Sequence, residues 1–308
     1  MNKMITLERM NWRKALRKQA PLIILMLPAI VHIILFAYWP MFGLQIAFKD
    51  FRATLGIWGS HWVGVKHFIR FINYPNFWAI VRNTLSISLY SLATFPIPII
   101  FALMINEIQN SRRKKAVQLI TYAPHFISTV VICSMVILFL QPKTGMLSNA
   151  LVAIGGEQTN LLTKAPLFSS IYVWSDVWQH TGWNMIIYLA TLSSVQMECV
   201  EAAKIDGATR LQIMRHVYLP HILPTAVIML ILSVGRILNV GYEKILLLQN
   251  PLNLSQSTVI STYIYEIGLI GGQYSYSTAI GLFNTVVSLI LVILVNMIAR
   301  RINETSIW

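Results

Sequence analysis

Charge is scarce in this sequence. Only 11% of its 308 residues are Asp, Glu, Lys or Arg, 56% are hydrophobic, and the mean hydropathy is +0.62. A soluble domain carries about 25% charged residues. So few charges cannot cover a water-facing surface, which excludes a soluble domain and points to a membrane protein. Cysteine is scarce as well. Cys133 lies in an apolar run and Cys199 at the edge of a polar stretch, with no disulfide framework and no metal-ligand spacing. The dipeptide Gly-Lys never occurs, so there is no Walker A phosphate loop, and His-Glu-x-x-His is missing too. The seven histidines are scattered, and nothing near His216 and His221 completes a metal site. No nucleophile stands beside a base. No catalytic residue, metal site or cofactor is therefore assigned, and the chain is not read as an enzyme. Internal repeats, low-complexity tracts and the alternation of β-barrel strands are absent.

What the sequence has is long apolar runs. A helix needs about 20 apolar residues to cross the hydrocarbon core. Six stretches qualify: roughly 22–44, 83–105, 118–140, 168–192, 221–240 and 277–299. They must be helices, because lipid offers the backbone no hydrogen-bond partner. The fourth is the least apolar, interrupted by "WSDVWQHTGW". The expected fold is an all-α integral membrane protein with six transmembrane helices spread over residues 21–300. The net charge of +13 does not indicate nucleic acid, because the basic residues sit at the ends of apolar spans. Fifteen of them fall on the side of the N-terminal tail and eight on the other, so the positive-inside rule puts both termini in the cytoplasm. Residues 1–20 read as a basic amphipathic segment on the inner leaflet and 301–308 as a cytoplasmic tail. An external loop at about 45–82 is expected to hold short interfacial helices.

Between the fourth and fifth spans stands "EAAKIDGATRLQIMRHVYLP". The pair Ser193 and Gln196 fits a capping box opening a helix that ends near Asp206. Gly207 supplies a permissive turn. Thr209 with Gln212 fits a second capping box, opening a helix that ends near Leu219, before Pro220 and Pro224. The segment 193–220 is thus a cytoplasmic helical hairpin tied at both ends to spans. Capping and charge alone leave open an ordinary loop without a partner.

These residues resemble the EAA motif of permease subunits of binding-protein-dependent carbohydrate ABC importers. Glu201, Ala202, Ala203, Gly207, Leu219 and Pro220 match the pattern, and Val217 stands where Ile is usual. The resemblance extends to "RNTLSISLYSLATFPIPIIFALMINE", "ILNVGYEKILLLQNP" and "GGQYSYSTAIGLFNTVVSLILV". It is maltose-permease-like and nearest the branch assigned to oligosaccharides and polysaccharide fragments. The resemblance implies the ABC-importer permease fold in the bacterial cell membrane. It implies a second permease subunit, expected as a heterodimer, with two ATPase subunits that carry ATP and Mg, and an external sugar-binding protein. It further implies that Glu201, Ala202, Ala203, Asp206, Gly207, Ala208 and Leu211 couple to an ATPase cleft, driving alternating access.

Ionisable groups inside spans suggest function. Asp176 and Arg236 are such groups. Asp176 faces a cavity or sits near the outer headgroups, and Arg236 faces a cavity or snorkels outward. Sugars are held by aromatic faces and hydrogen-bonding side chains. Trp174, Trp178, Gln179, Trp183 and Asn184 are candidates for the path, with interfacial tryptophans as the alternative. Asn239, Tyr242 and Asn284 are further candidates. The rival function is an ion-gradient-driven secondary transporter, which often shows internal repeats around midplane charges.

Overall fold

The computed structural model describes residues 12–156 and 158–303, and it is built almost wholly of helices. Helix α1 (Trp12–Ile33) continues through a π-helical turn (Ile34–Tyr38) and a 3-10 stretch (Trp39–Phe48). The α geometry gives way beside Pro40, which has no N–H to donate. A short antiparallel ladder pairs β1 (Lys49–Asp50) with β2 (His61–Trp62) around α2 (Gly56–Gly59). Then come α3 (Lys66–Ile72), α4 (Phe77–Ala93), α5 (Pro96–Asn106), α6 (Ser111–Tyr122), α7 (Thr129–Leu140) and α8 (Met146–Ala153). The long α9 (Phe168–Leu192) leads to α10 (Met197–Ile205), α11 (Arg210–Ile213) and α12 (Leu219–Gly235). A broken segment holds α13 (Tyr242–Leu248), α14 (Leu254–Ser257) and α15 (Ile260–Tyr265), and α16 (Tyr274–Asn303) ends the described chain.

Four stretches are long and apolar enough to cross a membrane: Gln19–Phe48, Phe77–Asn106, Arg210–Gly235 and Tyr274–Arg301. The expected third span is not straight. Ser111–Phe126 and Thr129–Leu140 meet at 100°, and together they make up to a fifth crossing. Ile127 and Ser128 are extended there, and Ser128 caps α7 through the Val131 N–H. Helix α9 coincides with the fourth expected span and has the length to cross. Its polar residues keep it from qualifying on hydropathy, so the expected count of six is not reached by length and composition. The expected fifth span also differs. Its helix begins at Arg210 and stops at Gly235, rather than running from 221 to 240.

The basic segment from Trp12 onward belongs to the same helix as span one. The rest of that N-terminal segment and most of the C-terminal tail lie outside the described residues. The most apolar stretch of span one buries nothing against the chain.

Three apolar clusters organise the body. Near the 193–210 hairpin, Ile105, Met185, Leu192, Val200, Ile213 and Ile222 pack together. At the other end of α9, Ile132, Phe168, Val173, Ile245 and Leu248 pack together. A third cluster joins Phe71 and Phe77 to Tyr263 and Tyr276. Irregular backbone between α12 and α16 is satisfied by side chains, as a low-dielectric setting requires. Asn83 Nδ2 donates to the Ser255 and Thr258 carbonyls at 3.0 and 3.1 Å. Thr84 Oγ1 accepts from the Ile260 N–H at 3.0 Å. The fully buried Asn253 donates to the Leu162 and Leu248 carbonyls.

Candidate functional site: a polar cavity joined to a helical hairpin

Helix α9 presents different residues on different faces. Phe168, Tyr172, Ser175, Gln179, Gly182 and Met185 recur every three or four positions and are buried. Gly182 sits where the α6 backbone crosses. A Cβ there would collide with the Thr121 carbonyl, so only glycine permits the approach. Asp176, His180 and Asn184 recur every four positions and line a cavity. Its volume is about 380 Å³, and its other walls come from the α4–α5 junction and the end of α12. Those linings lie in the middle parts of Phe77–Asn106 and α9 and at the Gly235 end of α12.

The Asp176 carboxylate is 3.2 Å from Lys244 Nζ and 3.2 Å from His180 Nδ1. Lys244 is 5% exposed and belongs to α13, so this ion pair ties the broken segment to α9. Burial pulls the Lys244 ammonium below the ordinary lysine range, and the Asp176 carboxylate opposes that pull. The Lys244 ammonium also lies 5.4 Å from the centre of the Tyr172 ring. Lys244 is one of the eight basic residues that the charge count places on the outer side, and it is an internal partner of Asp176. The signal was there to read, since it is a lone cation in the apolar run "KILLLQ".

Arg236 stands just past the end of α12, not within it, and its exposed side chain lines the cavity. Asn239 lines the cavity beside it. The buried Asn284 donates to the Asn239 side-chain oxygen at 2.9 Å. The other candidates lie elsewhere. Trp174 and Trp178 line a separate apolar groove, and Trp174 Nε1 donates to the Tyr90 hydroxyl at 2.8 Å. Trp183 stacks on His125 with centroids 4.3 Å apart. Gln179 is buried and donates to the Ile127 carbonyl, while Tyr242 stacks on Tyr265. The structure thus brings Asp176, Asn184, Arg236 and Asn239 together, and it adds His180 and Lys244. Among the described residues, no three His, Cys, Asp or Glu side chains converge as metal ligands.

The hairpin is built as follows. Ser193 has helical dihedrals in the last turn of α9, and its hydroxyl donates to the Ala190 carbonyl. It therefore cannot cap α10, whose N-cap is Gln196 without a side-chain bond; the expected first capping box is absent. Helix α10 closes in a Schellman turn. The Ala208 N–H bonds to the Ala203 carbonyl and the Gly207 N–H to the Lys204 carbonyl, with Gly207 at φ +78°. The Thr209–Gln212 capping box is present and opens α11. The second helix is not a separate piece. It passes through a π turn at Met214–Tyr218, just before Pro220, and continues as α12. Widening to a π turn fits a proline that can neither donate nor clear the carbonyl four residues back.

Val200 and Ile213 are buried against the bundle, and Ala203 and Ala208 pack beside them. Burying each large side chain contributes about 1.5–3 kcal/mol, so the hairpin is docked firmly. Its outer face carries Glu201, Ala202, Asp206 and Leu211, all exposed, together with Ile205 at 86% exposure.

The family described as "Binding-protein-dependent transport system inner membrane component" matches residues 94–304. The chain is 39% identical over 299 residues to Protein LplB of Bacillus subtilis (strain 168), covering 97% of this chain and 94% of that protein. It is 42% identical over 292 residues to the polygalacturonan/rhamnogalacturonan transport system permease protein YteP of the same organism, covering 94% and 91%. A crystal structure of a bacterial ABC transporter involved in the import of the acidic polysaccharide alginate superposes with a TM-score of 0.87. That match has 41% identity and covers 95% of this chain and 99% of that one. A crystal structure of a bacterial alginate ABC transporter in complex with an alginate pentasaccharide-bound periplasmic protein matches with a TM-score of 0.87 as well. The chain belongs to the family of inner membrane components of binding-protein-dependent transport systems, as a permease subunit and not an enzyme.

Proposed function

We propose that this chain is one of two permease subunits of an ATP-driven importer that takes oligosaccharides from an external binding protein. The observation that carries the reading is one helix. Arg210–Gly235 runs without a break from the hairpin to Arg236 at the cavity wall. At about 1.5 Å per residue it spans about 39 Å, comparable to a bilayer. Helix α9 forms the opposite wall and descends to the same hairpin. A displacement of the hairpin therefore moves both cavity walls.

In this reading the hairpin faces the cytoplasm and both termini lie inside. Glu201, Asp206, Leu211 and the glycine turn enter a cleft on an ATPase subunit. That partner holds ATP and Mg, and this chain binds neither. Closure of two ATPases on ATP draws the hairpins together and exposes the cavity outward; hydrolysis returns it. The cavity walls offer what a sugar needs: hydroxyls of Ser91 and Ser233, the amides of Asn184 and Asn239, and the Tyr172 ring. A second permease, different in sequence, would complete the path and cover the uncovered apolar length of span one.

The test is reconstitution. Co-expression with a neighbouring permease and ATPase should yield a stable complex whose ATP hydrolysis rises with sugar-loaded binding protein. Uptake by this polypeptide alone, collapsed by an ionophore, would instead establish a gradient-driven transporter.

A further inference from the structure

Resting on the importer reading, we infer that Arg236, with Asn239 beside it, reads a carboxylate on the transported sugar, so that the cavity selects uronate-containing oligosaccharides. Four observations converge. The charged and titratable groups on the cavity wall are Asp176, His180, Arg236 and the hydroxyls of Tyr172 and Tyr188. Asp176 is already engaged, by Lys244 from α13 and by His180 one turn along α9. Its negative charge is met inside the protein and is not free to hold a cationic ligand. Arg236 has no ion-pair partner among the described residues, and its side chain is exposed to the cavity. The side-chain oxygen of Asn239 is taken by Asn284, which leaves its amide N–H groups to donate outward.

The wall at the end of α12 therefore offers donors and no competing acceptor charge. A guanidinium matches a carboxylate with two parallel N–H···O bonds, which a neutral hydroxymethyl group cannot accept. The backbone supports this placement. The Asn239 N–H bonds to the Arg236 carbonyl at 2.8 Å, closing a tight turn that sets both side chains on one wall. A charge at this depth is costly unless it faces water or a ligand, and the cavity supplies both. Asn284 acts through Asn239 and is a positioning residue.

The experiment uses the reconstituted complex in proteoliposomes with its binding protein. ATP-driven uptake of trigalacturonate is compared with uptake of its carboxyl-reduced, neutral counterpart. Wild type should import the charged sugar in preference. Arg236→Gln should lower trigalacturonate uptake about tenfold, the loss expected for a charge-assisted bidentate contact, and Arg236→Lys, which keeps the charge and loses the fork, should fall between wild type and Arg236→Gln. Equal uptake by Arg236→Gln and wild type overturns the proposal, as does a loss in Arg236→Lys as deep as in Arg236→Gln. A wild-type complex that imports the neutral sugar and refuses the charged one also overturns it, while leaving the importer reading intact. Import of neither sugar by an assembled, ATP-hydrolysing complex overturns the importer reading itself.

Discussion

Asp176 and Lys244 lie 68 positions apart and meet at 3.2 Å, with the lysine almost wholly buried. Removing one partner of a buried pair costs more than removing both, because the survivor is left uncompensated. Asp176→Asn should therefore destabilise the protein by about 2 kcal/mol, less than a fully buried pair because Asp176 opens on the cavity. The double variant Asp176→Asn with Lys244→Met should recover part of that loss. Thermal unfolding of the purified protein in detergent checks both, and equal midpoints for all variants would contradict the pairing. Gly182 invites a second test. A methyl there meets the Thr121 carbonyl, so Gly182→Ala should cost about 1–3 kcal/mol by forcing α6 and α9 apart. A Gly281→Ala variant, where a Cβ meets nothing, serves as the control. Asp176 and Arg236 could be read from the sequence, since a charge in an apolar run stands out. That Lys244 pairs with Asp176 could not. Whether Asp176 meets a cation depends on a broken segment folding back onto α9, and no local pattern encodes that.

The hairpin shows what short-range signals carry and where they stop. Gly207 and the Thr209–Gln212 box follow from rules that span three or four residues, and both are present. The Ser193–Gln196 box obeys the same spacing and is absent, because α9 keeps Ser193 in its last turn. Spacing proposes a cap, and packing of the preceding helix decides it. The tryptophans teach a similar lesson. "WSDVWQHTGW" looks like one sugar-binding cluster, yet 100° per residue sends Trp174 and Trp178 to a groove away from Asp176. Because a Cβ at Gly207 meets open space, Gly207→Ala should cost only the left-handed backbone strain, about 1 kcal/mol. The global unfolding midpoint should thus barely move. Ile205 and Leu211 stand exposed on the tip that the proposed function places in the ATPase cleft. Ile205→Asp with Leu211→Asp should leave folding intact and weaken retention of the ATPase at least tenfold in co-purification. Undiminished retention would remove the tip from the interface.

At the scale of the molecule, the proposed function makes the hairpin a lever joined to the cavity by Arg210–Gly235. Span count was the part of the architecture least legible in the sequence. Hydropathy finds apolar length, but it cannot tell a straight crossing from the 100° bend between α6 and α7. The central claim is that the hairpin faces the cytoplasm and is clasped there by the ATPase. Cys199 is exposed on α10 and Cys133 is buried, so the native chain carries its own reporter. The measurement is labelling of Cys199 by a membrane-impermeant maleimide in vesicles of both orientations, with and without bound ATPase. Labelling in inside-out vesicles only, slowed when the ATPase is bound, is the expected result. Labelling of Cys199 in right-side-out vesicles, or a rate indifferent to the ATPase, would contradict the account.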